Sequence, residues 1–432
     1  MYVLTLNCGS SSIKGKLFHL PSKEAPLKPA AKISVLNIGA KGDRVHVVVK
    51  WLDDEGRDDV DERMGDGGEV EHRDIFPVIL KHITSSGIKE DAIKYVTHRI
   101  VHGGMNKKGL RVTKEDTREL EQMDALSSFA PLHNHHAVLC VRACLDAVPK
   151  STQLLYFDTL FHQTLPPEVY TYALPPTKAD LAIPLRKYGF HGLSYASIVH
   201  QLAQHTHTTP DKLNLVVAHL GSGASACCIR AGKSIDTSMG LTPLEGLVGG
   251  TRTGNIDPTA IMHHTPEYAR DAGLSGMHVS RGEWVMNRES GLSALAGTPN
   301  FGTITAKAFG EVGEGGATDA AEKKRMRLAY DIFLDRVMVF ISQYLAKLLV
   351  QVPLTEVQLV FSGGIGENAA KLRRDVIERL HWLGASVGEA NEKRGGGAVR
   401  KVSGAESRLT AWVVETDEEG WCAQMARDDM GI

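Results

Sequence analysis

Short apolar runs broken by polar glycine turns dominate both ends of this chain. Tyr2-Val3-Leu4-Thr5-Leu6 is a β-rich run, Asn7 to Ser12 is a Gly/Ser turn, and Ile13 to Leu20 is apolar again. That pattern predicts strand, turn, strand. It returns later: Leu213 to Ala218 predicts a strand, His219 to Ser225 a Gly/Ser turn, and Ala226 to Ile229 the returning strand. Gly9-Ser10 laid over Gly221-Ser222 gives an offset of 212 residues, which suggests two domains of similar build, each presenting a glycine hairpin. Between them Gly39 to Arg73 is charged and glycine-rich, with one strand-like run from Arg44 to Trp51, and reads as a peripheral hairpin and loop. Helices are expected over Thr113 to Leu126, Asn134 to Ala147 and, long and amphipathic, Glu322 to Val352. Leu154 to Phe157 and Val357 to Phe361 read as buried strands. After the second, the glycine loop Ser362 to Asn368 leads into a helix from Ala369. Strand, glycine loop and helix in that order aim backbone N–H groups and a helix dipole at a phosphate. Alternating strands and helices argue for an α/β class.

Composition narrows the function. The 432 residues suggest two to three domains, and 42% hydrophobic content is that of a globular chain. Forty-nine Lys and Arg against 51 Asp and Glu argue against a nucleic-acid-coating protein and against a polybasic membrane clamp. The six cysteines contain no Cys-x-x-Cys pair, and the spacing reads as neither a zinc site nor a secreted disulfide framework. The first residues lack a charged leader and read as a strand rather than a signal peptide, and Arg336 to Leu354 carries Ser342, Gln343, Lys347 and Gln351. A soluble, cytoplasmic protein is expected.

Ser10, Ser11 and Ser12 offer hydroxyls and backbone N–H groups to an anion, and Lys14 adds a cation just beyond. With the loops at His219 to Ser225 and Gly363 to Asn368, three glycine loops could frame one polyphosphate. Arg99 lies on a strand that ends in the turn His102-Gly103-Gly104. An arginine on an apolar face is either half of a buried ion pair or a planar clamp for a carboxylate. Asp158 directly follows a buried strand, where open α/β sheets bind ligands, and is a candidate for metal or substrate unless it caps a turn. The run His133-Asn134-His135-His136 diverges too much for a metal site. His133 suits a hydrogen-bond donor and Asn134 a helix N-cap. His191 and Arg252 stand between glycines, which suits close approach by a ligand. No Gly-x-x-x-x-Gly-Lys-Ser/Thr loop occurs, which excludes a P-loop enzyme.

As a set, Asn7 to Lys14, His98 to Gly104, Ala130 to Asn134, Phe157 to Thr164, Arg186 to Gly192, Glu245 to Arg252 and Gly364 to Asn368 resemble the acetate kinase family. The resemblance runs from residue 1 to about residue 424. It implies an α/β, duplicated actin-like (ribonuclease H-like βββαβαβα) two-domain kinase fold with an interdomain cleft. The implied N-terminal domain is 1–160, completed by the segment 420–432, and the implied C-terminal nucleotide-binding domain is 161–419. The implied reaction is reversible, Mg²⁺-dependent, direct in-line phosphoryl transfer between ATP and acetate, giving acetyl phosphate and ADP. By the same resemblance Arg99 would hold the acetate carboxylate, and Val101, Leu132 and Pro243 would line the methyl pocket. Asp158 would orient or activate the acetate and help with the metal, and His191, Arg252 and nearby His133 would stabilise the moving phosphoryl group. Asn7 and Glu418 would be tied to Mg²⁺. Ser10, Ser12, Lys14 and the loop His219, Leu220, Gly221, Ser222, Gly223 would meet the donor phosphates. Gly364, Ile365, Gly366, Glu367 and Asn368 would border the adenosine. A homodimer is implied, and no nucleic acid or membrane partner.

Three stretches depart from the family pattern. Ser222 stands where an asparagine is usual, Asp417 precedes Glu418 in place of an asparagine, and Pro299-Asn300-Phe301-Gly302-Thr303 lacks the acid and cation usual around the ribose. The last makes pyrophosphate an alternative donor, while propionate or butyrate are alternative acids. An actin-like or chaperone-like ATPase would explain the glycine loops but would not require Arg99, His191 and Arg252.

Overall fold

Alternating burial along the β-branched and aliphatic runs resolves into two separate sheets. The computed structural model describes residues 1–9, 11–53, 55–126, 131–177, 179–274, 279–313, 316–393, 395 and 397–432, without the side chains of residues 125 and 131–133. The chain divides into two compact units. Unit 1 comprises Met1–Leu160, Ala179–Pro184 and Asp417–Ile432, and unit 2 comprises Phe161–Lys178 and Leu185–Thr416.

Unit 1 holds β1 (Tyr2–Cys8), β2 (Ser12–His19), β3 (Lys28–Leu36), β4 (Arg44–Trp51), β5 (Val60–Asp66), β6 (Ile93–Ile100), β7 (Leu110–Val112) and β8 (Thr152–Phe157). Their order in the sheet is β5-β4-β3-β2-β1-β6-β8-β7. The charged segment expected to be a peripheral hairpin instead extends the sheet, because Val45, Val47 and Val49 of β4 are fully buried. Strand β1 runs antiparallel to β2 and parallel to β6, with Leu6 beside His98 and Asn7 beside Arg99. Since neighbours along a strand face opposite ways, Cys8 and His98 point to one side of the sheet and Asn7 and Arg99 to the other. The helix Pro131–Ala147 packs on the first side, and Glu418–Met430 packs against β1, β2 and β6 on the second.

Unit 2 holds β9 (Asn214–Leu220), β10 (Ala224–Arg230), β11 (Lys233–Thr237), β12 (Val357–Ser362), β13 (Val399–Lys401) and β14 (Thr410–Val414), in the order β11-β10-β9-β12-β14-β13. Its five strands β11-β10-β9-β12-β14 repeat the arrangement of β3-β2-β1-β6-β8. In each, the first strand has an antiparallel hairpin partner on one side and a parallel strand on the other. This duplication is the loose internal repeat of the sequence made explicit. The long helix Ala320–Leu349 packs against β9 and β10 and buries Phe333, Val337, Ile341, Tyr344 and Leu348 in the core of this unit.

The glycine loop after β12 is not a loop. Gly363 takes φ +74°, turns the chain in one residue, and begins a short helix, Gly363–Asn368, followed by Ala370–Arg379. A Cβ on Gly363 would lie 2.7 Å from the Leu220 carbonyl oxygen, so only glycine fits. The helix carrying Asn134 also starts earlier than expected, at Pro131, so Asn134 is inside it and not its N-cap.

Candidate active site

In unit 1 the end of β6 delivers Arg99 between two carboxylates. Its Nε and one terminal nitrogen donate to the two Asp158 oxygens at 2.9 and 2.7 Å, a two-pronged fit of guanidinium to carboxylate. Its other terminal nitrogen lies 2.8 Å from Glu418 Oε2 and 3.3 Å from Asn7 Oδ1. Asn7 Nδ2 donates to the same Glu418 oxygen at 2.8 Å. Asp158 is 1% exposed and the Arg99 side chain 18%. Burial alone would lower the Arg99 pKa, but the Asp158 and Glu418 carboxylates outweigh it and hold the group above its ordinary value. Asp158 is fixed further by its own N–H, which donates to Ile100 O at 3.1 Å. Of the two alternatives posed by the sequence, Arg99 forms the buried ion pair, with all three guanidinium nitrogens engaged.

Asp417, in the place of the usual asparagine, caps the helix Glu418–Met430 by accepting from Gly420 N at 2.9 Å, and pairs with Lys16 Nζ at 2.5 Å. Lys14, exposed on β2, is in register with Asn7. The Gly9–Ser12 turn closes through Gly9 N to Ser12 O at 2.8 Å. Asn134 accepts from His102 N at 2.9 Å and donates to His102 O at 2.8 Å. Val101 is half-buried just beyond β6. Ser10 and the side chains of Leu132 and His133 lie outside the described residues.

In unit 2 the sharp Gly189–Gly192 segment aims His191. Gly189 has φ +79°, and a Cβ there would lie 2.6 Å from the His162 ring. His162, fully buried, donates through Nε2 to Phe190 O at 2.9 Å and meets Ser234 Oγ through Nδ1 at 2.8 Å. Burial pushes its pKa down to about 4, so the ring is neutral. His191 itself is left-handed at φ +57°, starts the helix Gly192–His205, hydrogen-bonds Ser225 Oγ through Nδ1 at 2.8 Å, and stacks on His219 at 4.4 Å. Tyr195, one turn on, hydrogen-bonds the same Ser225 hydroxyl.

The hairpin between β9 and β10 passes beneath this histidine. A side chain on Gly223 would begin 3.1 Å from an Arg252 guanidinium nitrogen and 3.5 Å from His191 Nε2. Arg252 and His191 therefore converge on one half-buried glycine turn. Ser222 O accepts from Gly250 N at 2.8 Å, and a Cβ on Gly250 would meet Ser222 Oγ at 2.9 Å. The Gly249–Arg252 loop is locked in turn by Leu292 N to Gly249 O at 3.0 Å and Ser293 N to Gly250 O at 2.8 Å. Pro243 is buried in this unit.

The helix Gly363–Asn368 follows β12, whose Ser362 is in register with His219. Glu367 Oε1 accepts from Gly363 N at 3.0 Å and Thr416 N at 3.2 Å, and burial raises its pKa. Arg373, 1% exposed, donates to Gly366 O, Glu367 O and both oxygens of Asn391, all between 2.6 and 2.9 Å. Asn300 spends its side chain as the N-cap of Phe301–Phe309, accepting from Thr303 N at 3.0 Å, while Phe301 is buried against Tyr330 and Phe333. Pro299 lies 3.2 Å from where a Gly250 side chain would begin, so this altered stretch borders the same loop.

Residues 2–424 match the model of the acetokinase family. The chain belongs to that family. A probable acetate kinase of Cryptococcus neoformans is 52% identical, with 100% of this chain and 99% of the relative aligned. An acetate kinase of Campylobacter jejuni is 36% identical over the full length of both. Among solved structures, the acetate kinase of Porphyromonas gingivalis is 30% identical with a TM-score of 0.78, covering 100% of this chain and 99% of the other. A propionate kinase of Francisella tularensis is also 30% identical, with a TM-score of 0.80 and 98% of each chain covered. The mixed α/β, two-sheet fold is the fold of acetate and propionate kinases, and membership makes the chain a kinase with a carboxyl acceptor.

The geometry gathers Asn7, Arg99, Asp158 and Glu418 in unit 1, and His191, His219, Gly223 and Arg252 in unit 2. Sequence reasoning missed Ser225, Tyr195, Lys16 and Arg373. Ser225 and Lys16 stood at the edges of motifs already singled out, but Arg373 is one of two adjacent arginines on a helix and carries no pattern of its own. Among the described residues no helix is long and apolar enough to cross a membrane.

Proposed function

We propose that this protein transfers a phosphoryl group reversibly between ATP and acetate, giving acetyl phosphate and ADP. The Arg99 cluster carries the reading. It holds a guanidinium in the planar geometry that suits a small carboxylate, with two acids and an amide oxygen around it. Acetate is already a nucleophile and needs no strong base. Its difficulty is repulsion from an anionic phosphoryl group, and positioned cations and donors relieve that. Arg99 holds the acetate carboxylate and keeps Asp158 in place to orient it, with Val101, Leu132 and Pro243 lining the methyl. His191 and Arg252 stabilise the moving phosphoryl group, with His133 assisting. The ring of His191 is fixed by Ser225 and the His219 stack, so it donates without first reorganising. Lys14, Ser10, Ser12 and the His219–Gly223 turn bind the donor phosphates, and Gly364–Asn368 borders the adenosine.

The donor set fits a hard divalent cation. Asp158 and Glu418 place two carboxylates against one guanidinium, a surplus of negative charge presented through oxygen atoms. Asn7 and Glu418 would hold Mg²⁺, which would neutralise donor-phosphate charge.

A second donor, pyrophosphate, is favoured by one observation. The Pro299–Thr303 stretch contains no acid or cation to offer a nucleotide, and its Asn300 is engaged as a cap. Purified protein with Mg²⁺ and acetyl phosphate, supplied first with ADP and then with phosphate, separates the two. ATP formation supports the adenine-nucleotide reading. Pyrophosphate formation alone replaces it, and silence with both overturns acetate as the acid and calls for propionate and butyrate. Pairing of two copies is supported by Leu328 and Val339 on the helix Ala320–Leu349 and Val350 at its end, 11 residues apart and 58, 49 and 80% exposed. Light scattering on a size-exclusion column tests it.

A further inference from the structure

On the sheet face opposite Arg99, β1 and β6 point Cys8 and His98 toward the helix Pro131–Ala147. That helix presents Cys140 and Cys144, one turn apart, on its buried side. One ligand atom from each of His98, Cys140 and Cys144 lies within 4.8 Å of the others, and the Cys8 thiol hydrogen-bonds that of Cys140. These side chains are 0–1% exposed except Cys8, at 9%.

The state of His98 follows from its neighbours. Ser151 Oγ donates to Val148 O at 2.8 Å, so it must accept from Gln153 Nε2 at 2.7 Å. Gln153 Oε1 therefore faces His98 Nε2, at 2.8 Å, and that nitrogen carries the proton. Nδ1 is left as a lone pair, fully buried, facing the Cys140 thiol but without a hydrogen bond of good geometry. A buried acceptor offered only a weak thiol donor is poorly satisfied. An imidazole whose far N–H is fixed by a second residue, with its near nitrogen bare beside thiols, is the arrangement of a metal-ligating histidine.

We propose that His98, Cys140 and Cys144, with Cys8 as the fourth ligand at the rim, form a site for a soft d¹⁰ cation, Zn²⁺ being the test case. Sulfur and imidazole ligands select such a cation and not the Mg²⁺ suited to the oxygen cluster on the other face. A tetrahedral Zn–S distance of ~2.3 Å sets ligand atoms roughly 3.8 Å apart, so the site closes by about an ångström. Binding releases the thiol protons to solvent and leaves the thiolates as ligands. Because the cluster is buried, the ion enters as the protein folds. The bound ion joins β1 and β6 to the helix that carries Asn134. The cysteine spacing in sequence concealed this, since the ligands come from three elements up to 136 residues apart.

Full-length protein produced in cobalt-supplemented medium tests the site without reference to kinase activity. One Co²⁺ per chain is expected, with thiolate-to-metal charge transfer in the near ultraviolet and intense tetrahedral ligand-field bands, undisturbed by excess Mg²⁺. Cys140→Ser and Cys144→Ala should weaken binding by at least about 100-fold, and Gln153→Leu, which spares every ligand, by about 10–100-fold. Absence of the charge-transfer band overturns the proposal, as does a band that survives in Cys140→Ser but is lost in Cys227→Ala. If Cys140→Ser fails to fold, X-ray absorption of zinc-loaded wild-type protein decides. A shell of sulfur with one imidazole supports the site, and a shell of oxygen and nitrogen alone overturns it.

Discussion

The Asn134 side chain satisfies both backbone groups of one residue, His102: it accepts from the N–H at 2.9 Å and donates to the C=O at 2.8 Å. Asn134 and His102 are both fully buried, so no water can replace the amide. Asn134→Ala should cost about 2–4 kcal/mol, from two stranded backbone groups each worth about 1–3 kcal/mol. Urea unfolding checks this, and a loss under 1 kcal/mol would mean that the turn after β6 has another support.

Arg252→Ala should lower the rate of acetyl phosphate formation about 10²–10³-fold, the usual loss when one transition-state donor is removed. The fold should persist, because the loop around it is held by backbone bonds to Leu292 and Ser293. Steady-state kinetics with circular dichroism checks both, and near-normal turnover would remove Arg252 from the chemistry.

Arg99→Ala strands two carboxylates. A loss of about 3–5 kcal/mol is expected, as for other broken buried pairs, together with a strong rise in the acetate KM. Arg99→Lys keeps the charge but cannot make the paired contact to Asp158, so it should recover part of the stability and little of the acetate affinity. If KM for acetate is unchanged in the lysine variant, Arg99 serves the carboxylates alone.

His162 makes stability depend on pH. Its folded pKa is depressed from 6.5 to about 4, so below neutrality the unfolded chain binds the proton first. The contribution is complete above about pH 6.5 and drains away as pH falls toward 4, amounting to about 3 kcal/mol at most. Urea titrations at pH 7, 5.5 and 4.5 on wild type and His162→Gln should show a smaller pH slope in the variant; equal slopes would point to other groups.

Periodicity exposed strands such as β9 and β12, because they are largely apolar runs between turn residues. The duplication was visible because both glycine hairpins sit between paired strands. The third glycine motif was read as a loop for a definable reason: a single positive-φ glycine against the Leu220 carbonyl lets the helix begin at once, and composition does not record a one-residue turn. At the site, Arg99, Asp158, His191 and Arg252 stood out through their strand-end or glycine-flanked positions. Ser225 and Tyr195 did not, since what marks them is a shared hydrogen bond to His191 and not a pattern along the chain. The thiol cluster was concealed likewise, by a parallel register that no spacing rule anticipates.

Arg373 makes four hydrogen bonds, two to carbonyls of the Gly363–Asn368 helix and two to Asn391, all to neutral carbonyl and amide oxygens. Burial lowers its pKa to about 10, so the group stays charged at neutral pH. A lysine in the same place starts about two units lower, so the same burial would bring its titration to about pH 8. The Gly363–Asn368 helix is thus tethered by a charge that persists across the pH range in which His162 titrates, and its shape is insulated from that acidity.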